Sequence, residues 1–564
     1  MNYLERYAFW CSAALPADVR SELQSIAEDT EELKSRFGSD LQFGTAGMRG
    51  IMGVGSNRLN RYTVRRAAQG MAAWLSGTSL PKKAAIAYDS RHNSQLFAEV
   101  CAVALAEAGI HTYLYDRLAP TPMLSFAVRE LGCGCGIVIS ASHNAGAYNG
   151  IKCYGPDGCQ MTDEPAGVVT EKISGIDFFI PETKSFAQFF AEGTVSYIGQ
   201  ELWEKYYQTV IAEAVDPDVI AKADLNIVYT PLCGTGNEPV REILGRLGVN
   251  IHVVASQEKP DGDFKTCEYP NPETDAALNE SYKVARSVPC DVILGTDPDA
   301  DRVAIAVPTA DGFRKLSGNE LGCLLLDYIL KARTQRGDIP EGAEVIRSIV
   351  STPMADRIAS AYGVTMKPVL TGFKYIGGEI LALEQKGEQH KYIFGFEESC
   401  GYLKGTYARD KDAVVASMLV CEMAASLKMS GKTVLDALEA LYRTHGYFLA
   451  HVQNIELTGA DAMEKAAAMM AELRTNMPSS IGGVAVNKVN DYKISLSKDL
   501  LTGTEAPIDL PQSNVLEMIL GDRGSVIARP SGTEPKVKFY YCAVGSTYDE
   551  GKRLLDAMVS QMSK

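Results

Sequence analysis

The chain lacks any apolar run long enough to span a bilayer, so a membrane-embedded protein is not expected. Its opening, MNYLERYAFWCSAALPADVR, has acidic and polar residues where a secretory signal needs a basic start and a longer apolar segment. Positive charge is not in excess either. Lys and Arg number 55 against 70 Asp and Glu, a formal net charge of −15. That balance argues against nucleic acid or an anionic membrane as a main partner. It leaves small anionic ligands open, because a site needs only local positive charge. The run GCGCGI puts Ile137 where GxGxxG needs its third glycine, so no dinucleotide fingerprint is present there. Cys133 and Cys135 have no second pair or histidine at zinc-like spacing. The 13 cysteines, odd in number and scattered, read as reduced, mostly structural thiols. A reducing compartment follows, and cytoplasm is the expectation.

With 564 residues, 46% apolar and 22% charged, the chain is ordinary globular protein too long for one core. Residues up to about 40 read as a charged helical lead-in. Beyond them, β-type runs alternate with helical patterns: AAIAY, a helix from about Ser94, HTYLY, then GIVIS. The alternation predicts an α/β domain with a largely parallel sheet. It recurs from LNIVY through NIHVV and DVILG to VAIAV. A third round runs from a helix near Asn319 through EVIRSIV and a helix starting at Pro353 to KYIFGF. Thr121-Pro122, Thr230-Pro231 and Thr352-Pro353 each lie near a predicted helix start, which predicts threonine N-caps followed by proline at the first helical position. Their recurrence suggests three related α/β units. SVIAR, KVKFYYCAV and a helix over Tyr548–Met562 predict a smaller C-terminal α+β domain, preceded by TGTEAPIDLPQSN as a loop. Four domains are expected, at 1–208, 209–318, 319–446 and 447–564.

GTDPDADR places Asp297, Asp299 and Asp301 at alternate positions directly after an apolar run. Three such carboxylates form a hard oxygen cage suited to Mg²⁺. An EF-hand is excluded, because its glycine and glutamate positions hold Arg302 and Pro308. A solvated acidic turn is the bland alternative, but three aspartates between apolar strands repel one another without a cation. The carboxylates exceed a divalent ion by one charge, and Arg302, Arg49 and Lys152 are the candidate counter-charges. RPSGTEPKVK offers Arg529 for bidentate phosphate contact, Ser531 and Thr533 hydroxyls, and Gly532 for close backbone approach. It lacks the GxxxxGK[ST] pattern, and alone it does not separate an anion cradle from a turn. Glu397 and Ser399 in GFEESCGY could grip sugar hydroxyls or be solvated. Lys374, Arg409 and Lys411 could bind phosphate or, for the lysines, trade protons if desolvated. ISASHNAGAYNGIK sets Ser142 and His143 in a small-residue loop after an apolar run. Nucleophile, cap and ordinary turn are open for Ser142; a loop histidine such as His143 serves as scaffold more often than as base.

In order, FGTAGMRG, SASHN, YNGIK, GTDPDADR, TGFKY, FEESCG, RDKDA and RPSGTEPK resemble the motifs of the α-D-phosphohexomutase family. The set stretches from Phe43 to Lys536, and its phrasing is nearest the phosphoglucomutase/phosphopentomutase branch. The resemblance implies three related α/β domains with mixed, largely parallel sheets plus a smaller α+β domain, around a central cleft. It implies phosphorylation of Ser142, and one Mg²⁺ per chain on Asp297, Asp299, Asp301 and a phosphoserine oxygen. It assigns catalytic roles to Ser142, His143, Lys152, Lys411 and Arg49. Substrate binding would fall to Thr45, Arg302, Lys374, Glu397, Ser399, Arg409, Arg529, Ser531, Gly532, Thr533 and Lys536. The chain departs from the family at Ser140, Ala145 and Ala413, where threonine, proline and glycine are frequent; none of these removes a needed chemical group.

The implied activity is reversible conversion of glucose 1-phosphate and glucose 6-phosphate, with glucose 1,6-bisphosphate as intermediate and activator. Phosphopentomutase, phosphomannomutase and sugar-bisphosphate synthase are rivals within the same chemistry. A non-catalytic sugar-phosphate binding protein and a metal-dependent phosphatase are rivals outside it. The expected partners are small sugar phosphates, with no nucleic acid and no membrane, for a monomer or homodimer.

Overall fold

Runs such as AAIAY and GIVI are apolar at every position and are stable only when covered on both faces. The computed structural model describes residues 1–44, 47–457, 462–531 and 536–563. It buries both runs at the centre of a six-stranded sheet. The chain divides into two compact units. The first comprises 1–316, 377–389 and 401–429, and the second 317–376, 390–400 and 430–564.

The sheet order in the first unit is Gly47–Ile51, Tyr148–Tyr154, Cys135–Ile139, Lys83–Tyr88, His111–Tyr115, Val195–Ile198. Its last four strands are parallel, and Tyr148–Tyr154 runs back antiparallel to Cys135–Ile139. Helices Arg61–Ser76 and Ser94–Glu107 supply much of the buried core beside it. A second sheet has Asn226–Thr230 parallel to both Asn250–Val253 and Val292–Thr296, then the antiparallel strands Val303–Thr309 and Gly312–Lys315. The helical lead-in forms as three short helices over Tyr3–Ser12, Ala17–Ser25 and Thr30–Phe37. They close a small core around Trp10 and Phe37, with Tyr62, Phe178 and Phe179 packed against it.

In the second unit, Glu344–Ser348 pairs in parallel with Thr365–Val369 and Tyr392–Glu397. A seven-stranded antiparallel sheet follows, with Tyr447–Glu456, Lys536–Gly545 and Gly524–Pro530 side by side. Helix Tyr548–Met562 lies over it, as the apolar pattern predicts.

Two expectations need correction. The predicted threonine N-caps are not formed. Thr121 stands inside the first helical turn and its hydroxyl donates to Asp299 Oδ2. Thr230 ends a strand and donates to Gln257, while Thr352 accepts from the Met354 N–H two residues on, a local turn rather than a cap. The supposed loop TGTEAPIDLPQSN contains the short strand Glu505–Pro507, paired with Leu496–Lys498. Its side chains are all exposed, so no apolar alternation announces it.

Candidate active site

The turn from Cys135–Ile139 into Tyr148–Tyr154 carries Ser142. The strands register Ile139 against Ile151 and Val138 against Lys152, and Gly47–Ile51 pairs along the outer side with Arg49 opposite Gly150. Gly150 is required there: a Cβ would come within 2.5 Å of the Ser140 carbonyl and 2.9 Å of the Met48 carbonyl. Gly47, at φ +140°, faces the Ile151 carbonyl too closely for any side chain. Three strands thus approach tightly enough to aim Ser142, Lys152 and Arg49 from one corner of the sheet.

Ser142 is 3% exposed and sits in the left-handed region at φ 51°, unusual for a residue with a Cβ. Its Oγ donates to Asp297 Oδ2 at 2.9 Å and lies 3.1 Å from His143 Nδ1. Asp297, Asp299 and Asp301 sit in the turn between Val292–Thr296 and Val303–Thr309, all buried, with ligand oxygens within 4.8 Å of one another. Ala300, at φ 50°, lets the turn reverse between them. Asp297 Oδ1 accepts the backbone N–H groups of Asp301 and Arg302 at 3.1 and 3.0 Å. Asp299 Oδ1 and Asp301 Oδ1 are buried without a hydrogen-bond partner. Such orphaned carboxylate oxygens are costly unless a cation meets them, so the group offers hard ligands for a metal ion.

Cations surround the cage. Lys152 Nζ is 2.5 Å from Asp299 Oδ2 and 3.2 Å from Asp301 Oδ2. Lys411 Nζ is 3.2 Å from Asp301 Oδ2 and 3.0 Å from Asp410 Oδ1. Arg302 Nε is 3.7 Å from Asp301 Oδ1, with its Nη1 donating to Glu273. Arg49 is exposed and donates to Asn144 Oδ1 at 3.1 Å. Burial, then the charges of Asp301 and Asp299, hold the Asp297 carboxyl well above the usual carboxylate range. Burial also works against the Asp301 carboxylate, but Lys152, Lys411 and Arg302 outweigh it and push that group down. Burial opposes the Lys152 ammonium, which Asp299 and Asp301 nevertheless hold above its ordinary value. His143 is pushed well below its ordinary value by burial and by the nearby Arg302 and Arg49, so it is neutral near pH 7.

Arg409 lies in the same unit but turns away from the cage. It is 1% exposed, with Nη2 on Glu384 Oε2 at 2.7 Å and Nη1 on the Thr406 and Ala408 carbonyls.

The second unit carries its own group. Glu397 ends a buried strand and accepts the Gly372 N–H at 2.7 Å, two residues before Lys374 at the start of helix Phe373–Gln385. Glu398 accepts from Ser348 Oγ at 3.1 Å, and Ser399 is half-buried beside it. Arg529 lies at the end of Gly524–Pro530, opposite Lys538, and the Ser531 N–H bonds the Lys536 carbonyl at 2.8 Å. Burial first, then the charges of Glu398 and Glu397, raise the Tyr540 phenol, and Arg529 opposes them; the two segments therefore converge on this tyrosine. Thr45, Gly532 and Thr533 lie outside the described residues.

Sequence reasoning passed over Asp89 and Arg91, and took Thr121 for a helix cap when its hydroxyl serves Asp299. The Arg91 guanidinium donates to the carbonyls of Ser142 and Asn144 through Nη2, and to those of Ala145 and Tyr148 through Nη1. The available signal was DSR directly after the wholly apolar AAIAY, since charges at a buried strand end need a purpose.

Sequence profiles of known protein families match most of the chain. Those for phosphoglucomutase/phosphomannomutase alpha/beta/alpha domains I, II and III match residues 40–179, 204–312 and 317–445, and that for the C-terminal domain matches 460–561. The chain belongs to the phosphoglucomutase/phosphomannomutase family. A phosphoglucomutase of Staphylococcus aureus (strain bovine RF122 / ET3-1) is 37% identical over 94% of both chains. Two solved structures share the family fold. The open form of Paramecium pp63/parafusin, a phosphoglucomutase, has TM-score 0.67 at 16% identity, covering 93% of this chain and 94% of that one. The Aspergillus fumigatus N-acetylphosphoglucosamine mutase in complex with GlcNAc-6P and magnesium has TM-score 0.52 at 15% identity, covering 97% and 99%. No single described helix is long and apolar enough to cross a membrane.

Proposed function

We propose that this family member is a phosphoglucomutase, interconverting glucose 1-phosphate and glucose 6-phosphate through phosphorylated Ser142. The observation that carries the reading is Ser142 Oγ at 2.9 Å from Asp297 Oδ2, inside a carboxylate cage with unsatisfied oxygens and two lysines against it. A binding protein has no use for a buried hydroxyl so placed.

Asp297, Asp299 and Asp301 would hold Mg²⁺, which when bound supplies charge neutralisation at the phosphoryl oxygens. Phospho-Ser142 gives its phosphoryl group to the free hydroxyl of the sugar monophosphate: the P–O bond to Oγ breaks and the P–O bond to the sugar forms. The bisphosphate so made turns round, and its other phosphate returns to Ser142. Arg49, Arg302, Lys152 and Lys411 present positive charge to the transferring group, work done mainly by position and electrostatics. Lys411 is the group at hand to exchange the hydroxyl proton, Lys152 being held as the ammonium by Asp299 and Asp301, while neutral His143 orients Ser142 Oγ. Glu397 and Ser399 read sugar hydroxyls, and Lys374, Arg529, Ser531, Gly532, Thr533 and Lys536 take the phosphate that is not being transferred. Thr45 is counted with the residues that bind substrate, and Arg409, its guanidinium held by Glu384, braces the segment that carries Lys411. The domains run over 1–208, 209–318, 319–446 and 447–564, and the enzyme works in the cytoplasm as a monomer or homodimer.

The test is conversion of glucose 1-phosphate with Mg²⁺ and trace glucose 1,6-bisphosphate, beside mannose 1-phosphate and ribose 1-phosphate. Turnover of glucose 1-phosphate that vanishes in Ser142→Ala supports the reading. Turnover of ribose 1-phosphate alone moves it to phosphopentomutase, and silence on all three overturns it.

A further inference from the structure

The segment DSRHNS, Asp89–Ser94, joins the strand Lys83–Tyr88 to the helix that Ser94 begins, Ser94–Glu107. Arg91 has no exposed side-chain surface. Its Nη2 donates to the carbonyl of Ser142 at 2.6 Å and to that of Asn144. Its Nη1 donates to the carbonyls of Ala145 at 2.9 Å and Tyr148 at 3.0 Å. One planar guanidinium thus ties four carbonyls of a seven-residue stretch, a geometry that lysine's single ammonium does not reproduce. Asp89 holds Arg91 in turn, with Oδ2 3.3 Å from Arg91 Nε and Oδ1 accepting the Arg91 N–H at 2.9 Å and Ser94 Oγ at 2.7 Å. The turn is fixed from its base as well: Asn149 Nδ2 donates to the His92 carbonyl at 3.0 Å and Ser94 Oγ at 2.9 Å.

A loop that holds a serine at φ 51° relaxes unless something over-determines it. We infer that Arg91, set by Asp89, is the positioning residue that keeps the Ser142 turn in its left-handed conformation and so fixes Ser142 Oγ against the aspartate cage. It touches neither sugar nor phosphate and works through the carbonyls of the turn. The inference rests on the proposed role of Ser142. Its loss would misplace the phosphoryl donor while leaving sugar-phosphate recognition in place, so the effect falls on kcat and not on KM. A displacement of about 1 Å at a reacting atom costs on the order of 10²-fold in rate.

The experiment compares wild type with Arg91→Ala, Arg91→Lys and Asp89→Asn, with folding checked by circular dichroism and thermal unfolding. Turnover of glucose 1-phosphate is measured with and without added guanidinium chloride at millimolar, non-denaturing concentration. The expected result is kcat down about 10²-fold in Arg91→Ala and Arg91→Lys, KM within about threefold of wild type, and partial recovery of Arg91→Ala by guanidinium. Asp89→Asn, nearly isosteric, stays folded and shows a smaller kcat loss with the same unchanged KM. Wild-type kcat in any folded Arg91 variant overturns the inference, as does a loss carried by KM. If both Arg91 variants fail to fold, Asp89→Asn decides by the same split. A wild type without turnover on any of the three sugar phosphates overturns the functional reading, a result distinct from failure of the Arg91 variants alone.

Discussion

The serine site of the first unit and the recognition segments of the second are built from different materials. Ser142 and the three aspartates are 0–3% exposed, with charge stacked on charge and each group held by several others. Ser399, Lys374, Arg529, Ser531 and Lys536 are only half-buried, and of that group Glu397 alone is fully enclosed. Buried charge is costly to assemble and stiff once assembled, which suits atoms that must stay in line for transfer. Half-exposed arginine and lysine keep rotamer freedom and grip a phosphate wherever it presents itself. Damage to the first region should therefore appear in kcat, and damage to the second in KM.

The sharpest break of that contrast is Ser142→Ala, which should lower kcat on the order of 10⁴-fold or more with sugar-phosphate binding retained by calorimetry. Chelation of divalent cations should follow, abolishing turnover until Mg²⁺ is restored, and Asp299→Asn should raise the Mg²⁺ concentration needed for half-maximal rate. Arg529→Ala removes charge-assisted hydrogen bonds of about 1.5–3 kcal/mol, so KM should rise about 10- to 100-fold with kcat much less altered. A large kcat loss there would erase the distinction between the two regions. Gly150→Ala forces a Cβ onto two backbone carbonyls and should cost about 1–3 kcal/mol of stability, read by denaturant unfolding, with some loss of kcat because the turn shifts. The smallest effect is on pH. His143 is held neutral, below its ordinary value, so between its folded value and about 6.5 the unfolded chain binds the extra proton. Its contribution is present above about pH 6.5 and is lost as pH falls through that window. Thermal unfolding of the metal-free protein from pH 8 to 5 should show a steeper decline in wild type than in His143→Gln.

Much of this architecture can be read from the chain. The alternation of apolar runs with helical patterns located the central parallel strands of the first three sheets, and the helix Tyr548–Met562 falls where its periodicity put it. The aspartate turn was legible because acids between two buried strands have few structural excuses. What escaped had physical reasons. The hold of Arg91 on the serine turn runs through backbone carbonyls, and a carbonyl has no side-chain identity for a motif to display. The hydroxyl of Thr121 serves Asp299 across 178 residues of chain, a partnership no local capping rule contains. Glu505–Pro507 is an edge strand without a buried face, so it resembles a loop until its partner is known.

Ala300 sets a limit on how this protein can be improved. Its methyl is wholly buried, in a backbone conformation that glycine takes freely and residues with a Cβ rarely adopt. A larger side chain has nowhere to go, while glycine relieves the strain but loosens the turn that spaces Asp299 from Asp301. Selection for heat resistance and selection for turnover therefore pull this position in opposite directions, and a screen for thermostable variants that settles on Ala300→Gly should recover slower enzymes.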